Sequence, residues 1–178
     1  AYYRPAPELL RPWSRPKAEE CVRGRIHVFA ARGEIEPVWV ALYALEDLHN
    51  IRARVEGLPD EVKAEIFVVH FWPQRTSWRS RTYYITPELL LPYNAEEGSV
   101  WAPGQYVLVK KPYDISAEQT GALWVRFSIG RSAAPGTYSL RLRLQAAKKA
   151  TLSVPISLEI LPFALSKPPD KFWLMYGD

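Results

Sequence analysis

The segment that most constrains the fold is residues 38–45, V-W-V-A-L-Y-A-L, which carry no charge. Both alternating sets are apolar: Val38, Val40, Leu42 and Ala44 on one, Trp39, Ala41, Tyr43 and Leu45 on the other. Successive strand side chains point to opposite faces, so such a strand needs cover on both. A buried helix would give the same signal, but the β-branched and aromatic content and Pro37 at the start favour a strand. Upstream, residues 30–37 lead into it through Arg32-Gly33-Glu34, which makes 30–45 the longest near-continuous apolar stretch. A second run, residues 63–72, is also apolar on both faces, with Ile66, Val68, His70 and Trp72 against Phe67, Val69 and Phe71. Two doubly apolar strands require a layer beyond a simple pair of sheets.

Elsewhere the alternation is one-sided. Residues 25–31 turn Ile26, Val28 and Ala30 to one face, and 51–57 turn Ile51, Ala53 and Val55. Residues 122–130 turn Leu123, Val125, Phe127 and Ile129 inward, and 138–145 turn Tyr138, Leu140, Leu142 and Leu144. In 151–161 the inward set is Leu152, Val154, Ile156, Leu158 and Ile160; Pro155 lies outward, as an edge strand tolerates. Pro73 is expected to stop the second apolar run, leaving 73–80 as a loop. Residues 82–85 read as a short strand. Thr86-Pro87-Glu88 opens a turn of helix or an extended segment ending at Pro92. Residues 93–104 read as a polar loop, and 106–109 are a further candidate strand. Pro135-Gly136 suits the centre of a type II turn at 134–137.

Proline accounts for 16 of 178 residues, well above the usual level of about 5%. Few windows escape Pro and Gly for long enough to make a helix. With 13% aromatics, this gives an all-β class: an antiparallel two-sheet β-sandwich of about eight to ten strands, jelly-roll or immunoglobulin-like. The expected organisation is a Pro-rich arm (1–20), the sandwich (21–165), then a stiff linker and an apolar strand (166–178). That last strand reads as the first of a following domain. The arm, or a body beyond the sandwich, is what could cover Trp39 and Tyr43.

Cys21 is the single cysteine, so no internal disulfide is possible. The net charge of +4 is mild and dispersed, without the concentrated stripe that nucleic-acid binding needs. No run approaches the ~18 apolar residues of a membrane span. His27, His49 and His70 lack metal-ligand spacing. Glu34 and Glu36 share a strand face, but a glycosidic pair needs two carboxyls about 5–10 Å apart across a cleft. No catalytic residue, metal site or cofactor is expected.

The most suggestive cluster is residues 71–84, F-W-P-Q-R-T-S-W-R-S-R-T-Y-Y. Sugars present C–H faces and hydroxyls, which flat aromatics and forked arginines complement. The candidate ligand-binding residues are Trp72, Arg75, Trp78, Arg79 and Tyr83, with Trp78 foremost. They would touch carbohydrate or a neighbouring domain, unless the loop folds back on its own sandwich.

Three segments in order carry a resemblance: Ala31-Arg32-Gly33-Glu34 with Glu36-Pro37-Val38-Trp39-Val40-Ala41-Leu42-Tyr43-Ala44-Leu45, Tyr84-Ile85-Thr86-Pro87-Glu88-Leu89-Leu90, and Ala134-Pro135-Gly136-Thr137-Tyr138 with Leu161-Pro162-Phe163. Together they resemble the N-terminal β-sandwich domain of bacterial glycoside hydrolase family 123-like proteins. The resemblance spans residues 20–178 and is poor over 56–81. It implies a non-catalytic accessory domain that precedes a (β/α)8 barrel acting on amino-sugar glycosides. The catalytic carboxylates would lie in that barrel, none at a position here; Asp178 would end a first barrel strand. A secreted or periplasmic setting is expected, although this chain shows no signal peptide. A stand-alone carbohydrate-binding module and a protein-interaction sandwich are the alternatives.

Overall fold

The computed structural model describes residues 1–3, 10–21, 24–75 and 77–165. Among these residues, apart from a 3₁₀ turn at Ala18–Glu20, the regular elements are ten strands. They are β1 (Ile26–Arg32), β2 (Ile35–Tyr43), β3 (Arg52–Glu56), β4 (Val62–Arg75), β5 (Tyr83–Asn94), β6 (Ser99–Pro103), β7 (Leu108–Pro112), β8 (Thr120–Ile129), β9 (Gly136–Gln145) and β10 (Leu152–Ala164). Four strands form one sheet in the order β1-β10-β9-β3, and six form the other in the order β2-β8-β4-β5-β6-β7. The fold is the all-β sandwich that the alternation predicts. The pairing is antiparallel except for β1 with β10, which run parallel.

Gly33 explains how one apolar stretch serves both sheets. Its φ of +82° is a left-handed conformation that costs glycine little, and there the chain passes from β1 in the small sheet to β2 in the large one. The Gly33 N–H donates to the Ile129 carbonyl at 3.0 Å. The Glu34 carboxylate accepts from the Ala31 N–H at 2.7 Å, closing the bend.

The main core lies between the sheets. Ile26, Val28, Ala30, Leu140, Leu142, Val154, Ile156, Leu158 and Ile160 come from the small sheet, and Val38, Val40, Leu42, Ile66, Val68, Leu123, Val125 and Phe127 from the large one. Leu152 departs from the expected inward set and is exposed. A second core covers the outer face of the large sheet. Tyr2, Leu10, Ala41, Val69 and Ala122 are buried there, with Trp39, Tyr43, Phe71, Leu90 and Trp124 packed around them. Trp39 and Trp124 meet edge to face at 4.8 Å, an arrangement aromatic rings favour. It is the N-terminal arm, through Tyr2 and Leu10, that covers Trp39 and Tyr43.

The arm is held by specific bonds as well as by apolar contact. Tyr2 exchanges both backbone hydrogen bonds with Ala41 (2.8 and 2.9 Å), using the free side of edge strand β2 and so blunting that edge. Thr120 donates its hydroxyl proton to the Ser14 carbonyl at 2.8 Å. The Tyr2 hydroxyl, 2.9 Å from Thr120 Oγ1, is therefore the donor of that pair, since a hydroxyl has one proton to give.

The prolines mislead in one consistent way. Pro73 does not end β4, which continues to Arg75 with Pro73 opposite Ile85. Beyond Val68, β4 no longer pairs with β8, so one of its sides is open and a missing N–H is tolerated. Residues 86–92 take the extended alternative, and β5 runs through Pro87 and Pro92 to Asn94. Pro155 sits in β10, an interior strand rather than an edge. It pairs with Arg141 on β9, while the ladder to β1 begins one residue later at Ile156, so no β1 ladder bond is lost. The 93–104 stretch contains β6, and the strand expected at 106–109 is β7, shifted to Leu108–Pro112. The tight turn before β9 lies earlier than 134–137, closed by the Ala133 N–H to the Gly130 carbonyl at 3.2 Å; Gly136 already opens β9. The expected linker and strand at 166–178 lie outside the described residues.

If Tyr2 anchors the arm, Tyr2→Ala removes a fully buried aromatic ring and lowers unfolding free energy by about 3 kcal/mol. Tyr2→Phe costs about 1 kcal/mol for the lost hydrogen bond. Urea unfolding of the three proteins checks both, and an unchanged midpoint in Tyr2→Ala would mean the arm is not docked in solution.

Candidate functional site

Strands β4 and β5 outrun the rest of their sheet and form a two-stranded ribbon. Trp72 pairs with Thr86, Pro73 with Ile85, Gln74 with Tyr84 and Arg75 with Tyr83, after a register shift between His70 and Trp72. Alternation then sorts the candidate residues. Arg75 and Tyr83 share one face of the ribbon, while Trp72 shares the other with Gln74, Tyr84 and Thr86. The five candidates therefore do not converge on one surface.

Two local pairs do form. Arg75 Nε donates to the Tyr83 hydroxyl at 2.7 Å, and the Arg75 guanidinium lies 4.8 Å from the Tyr83 ring centroid. The Arg79 guanidinium lies 5.5 Å from the Trp78 ring centroid. Both fall within cation–π range. At the tip, the Ser80 N–H donates to the Ser77 carbonyl at 3.0 Å, and the Thr82 N–H donates to Ser80 Oγ at 3.1 Å. Trp78 is 81% exposed, so it does not fold back onto its own sandwich. Trp72, Tyr83 and Tyr84 are also exposed.

A second exposed apolar surface escaped the sequence reading. The β6–β7 hairpin shows Trp101, Tyr106, Val107, Leu108 and Val109 to solvent, with Tyr106 89% exposed. Its signal was the uninterrupted run of Tyr106 to Val109, four apolar residues in polar surroundings. Its inner side, Val100 and Ala102, belongs to the main core. The turn at 104–107 is closed by the Gly104 N–H to the Val107 carbonyl at 2.9 Å.

Where β4 leaves β8 the two strands part, and a cavity of about 390 Å³ opens between them. Val69, His70 and Phe71 line one side and Thr120 and Gly121 the other, with Tyr113 across the gap. Burial lowers the His70 pKa from its ordinary 6.5, and the Lys111 charge adds to the effect. The Tyr113 hydroxyl is buried without a protein hydrogen-bond partner among the described residues, and burial raises its pKa. A Cβ on Gly121 would strike that hydroxyl and lie 2.6 Å from Ile115 Cδ1, so the strand passes here only as glycine. The nearest carboxylate, Asp114, is engaged by the Asn50 N–H at 2.7 Å. The titratable side chains of the lining are His70, Lys111, Tyr113 and Asp114.

The other sequence candidates are dispersed. Glu34 is committed to the β1–β2 bend, and partial burial raises the Glu36 pKa, with the Glu34 charge adding to it. Among the described residues no group of three His, Cys, Asp or Glu side chains could hold a metal ion. Nor is any helix there long and apolar enough to cross a membrane.

No protein-family model matches the sequence, and no curated protein matches it. Among solved structures, the fold is similar to part of a family 123 glycoside hydrolase from Clostridium perfringens, described for glycolipid glycan hydrolysis. The TM-score is 0.53 at 14% identity, over 80% of this chain and 23% of that one. The chain thus spans under a quarter of that enzyme's length, and the likeness is a distant one of fold. PapD-like domain 7 of human CEP192 is a weaker neighbour, with a TM-score of 0.33 and 10% identity over 89% of this chain and 97% of that domain.

Two outcomes test the cavity. With its folded pKa below the unfolded value, His70 takes up a proton more readily in the unfolded chain. Its contribution to stability is full above pH 6.5 and is lost as pH falls through 6.5 to the lower folded value. Stability at pH 5.5 relative to pH 7.5 should fall less in His70→Gln than in the parent, as read from unfolding midpoints. Gly121→Ala should cost about 1–3 kcal/mol by overpacking. Tyr113→Phe should recover part of that loss in a double-mutant cycle; additivity would mean the hydroxyl is not the obstacle.

Proposed function

We propose that this chain is a non-catalytic accessory β-sandwich of a glycoside hydrolase-like protein, packing on and supporting the substrate cleft of a following barrel. The observation that carries the reading is the pair of hairpins with unburied aromatics, β4–β5 and β6–β7. Single exposed apolar residues are ordinary, whereas several on neighbouring hairpins of one sheet point to a partner surface. The fold-level likeness to part of a family 123 glycoside hydrolase and the three sequence segments point to the same class of parent. In this reading the barrel, not the sandwich, supplies acid–base chemistry.

The geometry of the two ends shapes the reading. β10 ends near Gly33, with the Leu165 N–H on the Arg32 carbonyl at 3.0 Å. β4 starts at that same end, Val62 opposite Ile129, and runs 14 residues away from it, about 45 Å. A following barrel would lie along the sandwich to reach the aromatic hairpins and so bring them to its own rim. The second reading, a stand-alone carbohydrate-binding module, draws on the same separation: Trp78 stands exposed at the end remote from Ala164.

One pair of experiments separates them. In the natural protein with its downstream region, Trp78→Ala combined with Tyr106→Ala should weaken the coupling between domains, seen as separation of their melting transitions, and raise KM for a glycoside substrate. On a glycan array the 178-residue chain alone should show no saccharide binding that depends on Trp78. Saccharide binding by the isolated chain that is lost in Trp78→Ala favours the module. Full activity and stability in the double variant would defeat the accessory reading.

A further inference from the structure

We propose that the outer face of the four-stranded sheet carries a separate binding site for an acidic saccharide, a sugar bearing a carboxylate or sulfate group. The register of β3 on β9 sets Arg54 directly opposite Arg143, Arg52 opposite Gln145, and Glu56 opposite Arg141. Directly opposed residues on one face have Cβ atoms about 5 Å apart, and like charges there repel. The single carboxylate of β3 is divided between them. Glu56 Oε1 lies 2.8 Å from Arg54 Nη2, and Oε2 lies 3.9 Å from Arg143 Nε. The second distance is too long for a hydrogen bond. Arg143 Nε is shielded from solvent and has no hydrogen-bond acceptor among the described residues. Glu56 therefore leaves this face with an excess of positive charge and an unanswered donor.

Arg52, Arg54 and Arg143 line one cavity of about 410 Å³ together with Glu96, Gln145 and Thr151, a volume in the range of small-ligand sites. Guanidinium forks match the paired oxygens of a carboxylate or sulfate. The amide of Gln145, the hydroxyl of Thr151 and the carboxylate of Glu96 match sugar hydroxyls, as donors and acceptors in turn. Among the described residues no aromatic side chain lines the cavity, so it lacks the aromatic platform on which single-stranded nucleic acid stacks. Glu96 opposes a phosphate chain. One anionic group with neutral hydroxyls beside it is the chemistry that answers every lining group.

The site is independent of the aromatic hairpins, and Trp78→Ala is expected to leave it unchanged. Calorimetric titration of the chain with a uronic-acid disaccharide, a sulfated disaccharide, their neutral counterpart and sodium sulfate tests it. At least one acidic disaccharide should bind tenfold or more tightly than the neutral one and than sulfate alone, and binding should weaken as salt is raised. Arg54→Gln and Arg143→Gln should each lose tenfold or more in affinity with an unchanged circular dichroism spectrum. Equal binding of the neutral sugar, equal binding of sulfate, tighter binding of a single-stranded oligonucleotide, or full affinity in both variants would overturn the proposal. So would a sharp fall of melting temperature in both variants, which would make the cluster a structural network.

Discussion

Strand β8 has a partner strand on each side and an apolar layer on each face, and the rest of the molecule is arranged to supply all four. β2 and β4 flank it. Leu123, Val125 and Phe127 face the small sheet, while Ala122 and Trp124 face outward into the second core. A two-layer sandwich covers only one face of each sheet. The outer face of β8 therefore requires a third layer, and Tyr2 and Leu10 provide it. The outer cover is local. Further along β8, Arg126 points out instead, paired with Glu65 at 2.6 Å and lying over the Phe67 ring at 5.1 Å. The change from aromatic to charged marks where the arm's cover is no longer needed.

Much of this was legible because alternation reports burial directly. The doubly apolar runs at 38–45 and 63–72 identified β2 and β4 as strands that pack on both sides, whereas 122–130, read as one-sided, is covered on both faces as well. The one-sided pattern of 138–145 identified β9 in the small sheet. What the chain could not disclose is which stretch of a strand lacks a neighbour. Pro73 and Pro155 are allowed because β8 and β1 stop short of them, and the length of a partner strand is not written beside the proline. β6 was hidden, and β7 shifted from its expected 106–109, for a related reason. Their inner residues, Val100 and Ala102, are few, and their outer side is apolar where a solvated edge would be polar.

The candidate cluster at 71–84 shows the same limit in a different form. Its composition was legible, but its shape was not. Read as a loop, its aromatics and arginines share one surface. As a ribbon, strict alternation separates Trp72 from Arg75 and Tyr83, and the arginines stack on rings next to them. The basic face is the converse case. The outward positions of Arg52, Arg54, Arg141 and Arg143 follow from alternation within each strand. That Arg54 meets Arg143 depends on the register between β3 and β9, which is fixed by burial of Ala53, Leu142 and Leu144 on the opposite side. A slip of one residue would turn every one of those side chains over, so the core that buries the leucines is what forces the arginines together.

This dependence gives the two exposed features different physical characters. The tips of the aromatic hairpins carry their exposed rings away from the two cores, so those outer residues are free to vary without disturbing the fold. The arginine pair lies on the strands that bury Ala53, Leu142 and Leu144 and cannot be moved without shifting that register. Relief of its repulsion is available only by substitution or by an anion. Apolar contact at the hairpins is insensitive to salt, whereas attraction at the arginine face is screened within about 10 Å at 0.1 M ionic strength. Ionic strength is therefore expected to act on the proposed anion site and not on the proposed apolar contact at the hairpins.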